Sequence, residues 1–202
     1  MNSKKFEQAR QYAENRLERE LSPTLLYHGI GHTREEVVPA VERLASMEGI
    51  RGEARYLLLT AAWFHDLGYV EQPVYHELIS QRIAVQVLPT FGYQRNEVEI
   101  VRWAILATAL PQAPRSLLEA VLADADLDIL GRTEFVQRNE DLRQELAFHK
   151  KEFTDEQWYV GQLKFLEDHQ YFTVSACTLR NPQKLSNISY VNDKLNELRT
   201  MK

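Results

Sequence analysis

Residues 53–69 read EARYLLLTAAWFHDLGY, the most apolar stretch of the chain, and it closes on a histidine–aspartate pair. On a helix, Ala54, Leu57, Leu58, Ala61 and Ala62 share one face, and Gly68 supplies a C-terminal stop. His65 lies four residues after Ala61 and Asp66 four after Ala62, so both extend apolar columns. An imidazole and a carboxylate are thereby carried inward at the end of a buried helix. An unpaired carboxylate is costly to bury, so an inward Asp66 requires a cation or several donors. Taken alone, the pair also fits helix-end capping with surface charge.

Helical spacing continues on both sides of this stretch. Upstream, Phe6, Ala9, Ala13 and Leu17 share a face until Ser22-Pro23 breaks the run. Over about 32–47, Val37, Val38, Val41, Leu44 and Ala45 lie together. Here Thr33-x-x-Glu36 resembles a capping box, and Pro39 is expected to kink the helix or delay its start. Downstream, the spacing predicts a helix between Pro73 and Pro89, one over about 96–110 opening with Asn96-x-x-Glu99, and one from Pro114 to Gly131. Three more are expected over 134–149, over 154–169 (opening with Thr154-x-x-Gln157), and over 183–199. Only 171–177 could pass for a strand. With no repeat and no low-complexity linker, the expectation is an all-α fold. It comprises one helical domain, with a core over about 25–131 and a C-terminal helical extension over about 132–202.

Composition narrows the function classes. Of 202 residues, 24 are basic and 29 acidic, a net charge of −5 without a basic block, which argues against nucleic-acid or anionic-membrane partners. The apolar run over 56–64 is far shorter than the ~20 residues of a membrane span. The first twenty residues mix both charge signs and contain no apolar block, unlike a secretory signal. One cysteine, Cys177, fits a reducing compartment, so a cytoplasmic location is expected.

A second acid joins the pair. In DADLDILG, Asp126 has Leu122, Ala123, Ile129 and Leu130 at helical neighbour positions, whereas Asp124 and Asp128 share another face. Asp126 is therefore the acid expected to point into the core, with Asp124 and Asp128 left for supporting or surface roles. The alternative for Asp126 is an acid bonded to a neighbouring helix terminus. Further upstream, YHGIGH offers His28 and His32 around two helix-weakening glycines. One of these histidines with His65, Asp66 and Asp126 gives two nitrogens and two oxygens, a set suited to an octahedral divalent metal with open positions.

The order YHGIGH, then WFHDLGY, then DADLDILG resembles the HD-domain metal-dependent phosphohydrolase superfamily over about residues 25–131. The resemblance maps metal binding onto His32, His65, Asp66 and Asp126. It implies an all-α fold, at least one divalent ion (Mn, Fe, Ni, Zn or Mg) and hydrolysis of a phosphate ester, with Asp66 at the reacting centre. His76, followed by Glu77 and Ser80, resembles a segment whose histidine approaches the phosphate or a second metal; an exposed helix-start histidine is the alternative. Tyr69 stands where relatives acting on guanosine tetraphosphate or deoxynucleotide 5′-phosphates carry Glu, so those substrates are not carried over. The expected partner is a small phosphorylated molecule, possible nucleotides included, and a homodimer stays open as the assembly. A nucleotide- or metabolite-binding module with little catalysis is the alternative function.

Other residues divide as follows. His28 is expected to bond a carbonyl or a supporting acid, Glu71 to be a solvated acid, and His169 to be structural beside Trp158 and Phe165. The aromatics Trp158, Tyr159, Phe165, Tyr171 and Phe172 read as packing. Arg34, Arg82, Lys150, Lys151 and Arg180 are available cations, and Thr108 and Gln112 candidate neutral donors.

Overall fold

A computed structural model describes residues 3–200. Nine α-helices and no strand occur among the described residues, so the fold is all-α. They are α1 (Ser3–Glu20), α2 (Val38–Met47), α3 (Gly52–Phe64), α4 (His76–Val87), α5 (Arg95–Leu106), α6 (Leu117–Asp126), α7 (Phe135–Phe148), α8 (Asp155–Asp168) and α9 (Val174–Thr200). No helix among the described residues is long and apolar enough to cross a membrane.

Helix α3 is the axis of the main core. Every residue from Leu57 to Phe64 is buried, because the helix is apolar on all sides and neighbours surround it. Ala9, Ala13 and Leu17 of α1, Val41 and Leu44 of α2, Val101 and Ile105 of α5, and Val121 and Leu122 of α6 close around it. A second cluster forms where Ile129 and Leu130, in the 3₁₀ turn after α6, meet Tyr27, Phe135 of α7, Leu166 of α8 and Val191 of α9. The C-terminal helices thus pack on the segments that lead into and out of the histidine and aspartate motifs.

Several helix starts differ from the sequence expectation. Residues 32–37 form a π-helical turn, and α-geometry begins at Val38, with Pro39 in its first turn. Thr33-x-x-Glu36 is not a capping box: Thr33 is buried, and the Glu36 carboxylate is engaged by His32 and Arg138. Helix α5 is capped two residues earlier than Asn96, by Gln94 with Glu97. Ser116 caps α6 beyond Pro114. The Thr154–Gln157 box at α8 is present as read. Residues 171–177 are not a strand; they comprise irregular backbone and the first turn of α9, which starts at Val174 and runs through Pro182.

One close approach places the site. Gly68, in the turn after α3, sits so near the start of α4 that a Cβ there would fall 2.1 Å from the His76 carbonyl oxygen. Its N–H donates to buried Ser80 Oγ at 2.7 Å. Only glycine allows this contact, and it brings His76 against the end of α3.

Candidate metal centre

His65 and Asp66 leave α3 at its C-terminal end, fully buried in the first case and nearly so in the second. His32 opens the π-helical turn and Asp126 closes α6. Their polar atoms converge. His32 Nε2 lies 3.1 Å from Asp126 Oδ1 and 3.7 Å from Asp66 Oδ2. His65 Nε2 lies 3.2 Å from Asp66 Oδ2 and 3.3 Å from Asp126 Oδ1.

The outer nitrogens fix both rings. His65 Nδ1 donates to the Ala62 carbonyl at 2.7 Å, and His32 Nδ1 to Glu36 Oε2 at 3.0 Å. Each ring therefore turns its Nε2 towards two carboxylates. A positive charge has to sit between them: protons on the imidazoles, or one shared ion. Protons alone leave His65 Nε2 and Asp66 Oδ2 buried without a hydrogen bond, a costly arrangement. His32, His65 and Asp66 each offer a ligand atom within 4.8 Å of one another, so the three can hold a metal ion. Asp126 Oδ1 approaches both Nε2 atoms but is not one of the three mutually close ligand atoms. The two nitrogens and one oxygen of that group, with the Asp126 carboxylate beside them, are chemically suited to a divalent metal.

Electrostatics point the same way. Burial opposes charge on His32, but bonds to Asp126 and Glu36 outweigh it and raise its pKa to about 9. Burial opposes ionisation of Asp66, yet the His65 imidazole holds its carboxyl well below the usual range. The centre is a strong trap for positive charge.

His76 borders this cluster. Its Nδ1 donates to the Pro73 carbonyl at 3.2 Å, and its Nε2 lies 3.4 Å from Asp66 Oδ1. Burial opposes its charge; the Asp66 carboxylate more than offsets this, and the imidazole titrates above its usual value. Tyr69 stacks between His28 and His76, with ring centroids at 4.5 and 4.2 Å.

Three residues support the centre from outside: Arg138 and Glu145, which the sequence reading did not single out, and Glu36, which it read only as a capping residue. Glu36 orients His32 and is itself paired with Arg138 Nε at 2.8 Å. Arg138 also donates to the carbonyls of Leu26 and Tyr27 and pairs with Asp141. Glu145 accepts from the backbone N–H groups of Tyr27 and His28 at 2.8 and 2.9 Å, and His28 Nδ1 lies 2.5 Å from its other oxygen. His28 thus bonds an acid, as one of its two expected options. The signal was available: Glu36 follows His32 by four residues, and Arg138 and Glu145 are seven apart on one face of α7.

The acids of DADLDILG correct the facing argument. Asp124 is 0% exposed and accepts from Phe172 N–H, Thr173 N–H and Thr173 Oγ at 2.8, 2.8 and 2.7 Å. Asp128 is buried between Arg43 and Arg180. Asp126 is the more open of the three, with its side chain 18% exposed towards a cavity. The face shared by Asp124 and Asp128 is covered by α9 and the segment before it. The role of an acid bonded to a helix terminus therefore falls to Asp124.

A cavity of about 490 Å³ opens from the centre and is lined by Asp66, His76, Asp126 and Thr108 at that end. None of the anticipated cations lines it: Arg34 pairs with Glu18, Arg82 with Glu71, and Arg180 with Asp128, while Lys150 and Lys151 are exposed. Gln112 bonds the Ala123 carbonyl outside it. His169 packs edge-on against Tyr171. Trp158 and Phe165 pack in the fold but also face the cavity, which their reading as packing alone did not include. Comparisons with known protein families, with curated proteins and with solved structures return no match.

Proposed function

We propose that this chain is a metal-dependent phosphohydrolase of the HD-domain kind, acting on a small phosphate ester. One observation carries the reading: two imidazoles with their outer nitrogens engaged aim Nε2 at two carboxylates, leaving His65 Nε2 and Asp66 Oδ2 without a hydrogen bond. His32, His65, Asp66 and Asp126 would hold the ion, with Mn, Fe, Ni, Zn and Mg as its candidates. When bound, a divalent ion supplies positive charge to a phosphoryl oxygen and acidifies water.

The chain's own residues supply the remainder. Hydrolysis forms a P–O bond from water and breaks the ester P–O bond, and the departing oxygen takes a proton. His76, at the cavity edge beside Asp66, is the residue assigned to deliver it. Glu36 and Glu145 hold the rings of His32 and His28, which keeps the centre preorganised. The compact cavity of about 490 Å³ and the acidic net charge favour a small ester over a polynucleotide. The lone thiol of Cys177 supports a reducing compartment, with the cytoplasm as the proposed location.

The test is metal analysis of the purified protein, followed by a phosphate mono- and diester panel after reconstitution with each candidate ion. Wild type should bind about one ion or more and hydrolyse at least one ester, and Asp66→Ala should lose both with its helical content kept. Absence of metal binding in wild type, or unchanged stoichiometry in Asp66→Ala, would overturn the proposal.

A further inference from the structure

The cavity does not end at the histidine–aspartate centre. Its far wall is built by the C-terminal helices and the turn that receives them: Leu130, Phe135, Leu142, Trp158 and Phe165 all face it. Leu130, Phe135 and Trp158 are at most 4% exposed, so this wall is packed and shaped rather than open surface. Arg138, the cation in the cavity lining, is already engaged by Glu36, Asp141 and two backbone carbonyls. The other polar lining residues from the C-terminal helices are the carboxamides Asn139, Gln157 and Gln162. Buried Asn139 has no hydrogen-bond partner for its side chain among the described residues.

A sugar phosphate seated with its phosphate at the centre would press several hydroxyls against this wall. Each buried hydroxyl left without a partner is penalised, and Asn139 is the one buried carboxamide of this wall, Gln157 being exposed and Gln162 half-buried. An aromatic or branched hydrocarbon group incurs no such cost and gains contact with Phe135, Trp158 and Phe165. A cavity of about 490 Å³ is sized for a compact group, not a polymer.

We infer that the ester's alcohol portion is a compact apolar, ring-bearing group seated against Leu142, Trp158 and Phe165, with one hydrogen-bonding atom met by Asn139. This deepens the phosphohydrolase reading and rests on it for the placement of the phosphate; the apolar seat itself stands on the wall residues alone. It narrows the substrate class away from sugar phosphates and nucleotides.

Two measurements separate the two readings. On metal-reconstituted wild type, kcat/KM is compared for 1-naphthyl phosphate, ribose 5-phosphate and adenosine 5′-monophosphate. Independently of turnover, binding of 1-naphthol is followed by calorimetry and by tryptophan fluorescence. Expected results are at least a tenfold preference for 1-naphthyl phosphate and saturable 1-naphthol binding. Leu142→Gln and Phe165→Ser should each weaken that binding at least tenfold. Binding of 1-naphthol without turnover of any ester would sustain the apolar seat and sink the hydrolase reading. Equal or better turnover of ribose 5-phosphate or the nucleotide, or no 1-naphthol binding to wild type, would overturn the inference; both come from wild type, so a variant that fails to fold cannot blur the result.

Discussion

Replacing Asp124 with alanine should destabilise the fold and leave the proposed metal binding intact, and replacing Asp126 should do the opposite. The Asp124 carboxylate, 0% exposed, accepts three hydrogen bonds, two from backbone N–H groups and one from Thr173 Oγ. Alanine leaves those donors without their acceptor. Thr173 is 4% exposed and bears the full penalty, whereas Phe172, 44% exposed, recovers part of its N–H solvation. At about 1–3 kcal/mol for each buried orphaned donor, the total is about 3–4 kcal/mol. For a chain of this size that lowers Tm by on the order of 10 °C. Asp124→Asn keeps an acceptor oxygen and should lose about half as much. Asp126→Ala removes a partly exposed carboxylate facing two imidazoles and should cost little stability while abolishing metal binding. Urea unfolding followed by circular dichroism in a chelator gives the stabilities, and calorimetric titration with Mn²⁺ or Zn²⁺ gives the binding. An Asp124→Ala protein within 0.5 kcal/mol of wild type would refute the assignment, and so would one that loses metal more severely than Asp126→Ala.

Gly68→Ala should displace α4, because its Cβ would lie 2.1 Å from the His76 carbonyl oxygen, and thermal melting should show a loss of about 3 kcal/mol or more. Gly31→Ala, whose Cβ meets nothing within 4 Å, should melt like wild type. Glu36→Gln should weaken metal affinity about 10–100-fold by calorimetry, since the carboxylate that orients His32 is lost. His169 is pushed down to about 4 by burial and by the nearby Lys184 ammonium. The unfolded chain therefore binds a proton that the folded chain refuses between pH 6.5 and 4, and stability falls as pH drops through that window. His169→Phe should remove about 1 kcal/mol of that acid sensitivity at pH 5, allowing for partial exposure; parallel urea midpoints at pH 7 and pH 5 check it.

How much was legible in the sequence depended on how local each decision was. Helix α3 and the inward turn of His65 and Asp66 were readable because apolar residues occupy nearly every position before them. The Thr154 cap was readable for the same reason, its partners lying within one turn. Thr33-x-x-Glu36 has the same spelling, but Glu36 is drawn off by His32 and by Arg138, which lies 102 residues away. The burial of Asp124 was hidden because its donors, Phe172 and Thr173, are 48 and 49 residues distant. Those bonds also override the β-branched composition of 171–177, holding the backbone where α9 can begin. The convergence of His32 with Asp126 came from motif order and not from periodicity, which says nothing about how two helices meet.

Helix α7 grips both histidine-bearing residues of the YHGIGH segment, through Glu145 at His28 and through Arg138 and Glu36 at His32. If the proposed centre binds an ion, the docking of α7 and that binding are thermodynamically linked. An ion that favours the oriented His32 tightens the attachment of α7 by the same free energy that docked α7 adds to ion affinity. A cut in the exposed segment 150–153 that follows α7 would be felt first as a weaker grip on the ion, at a distance from the site of injury.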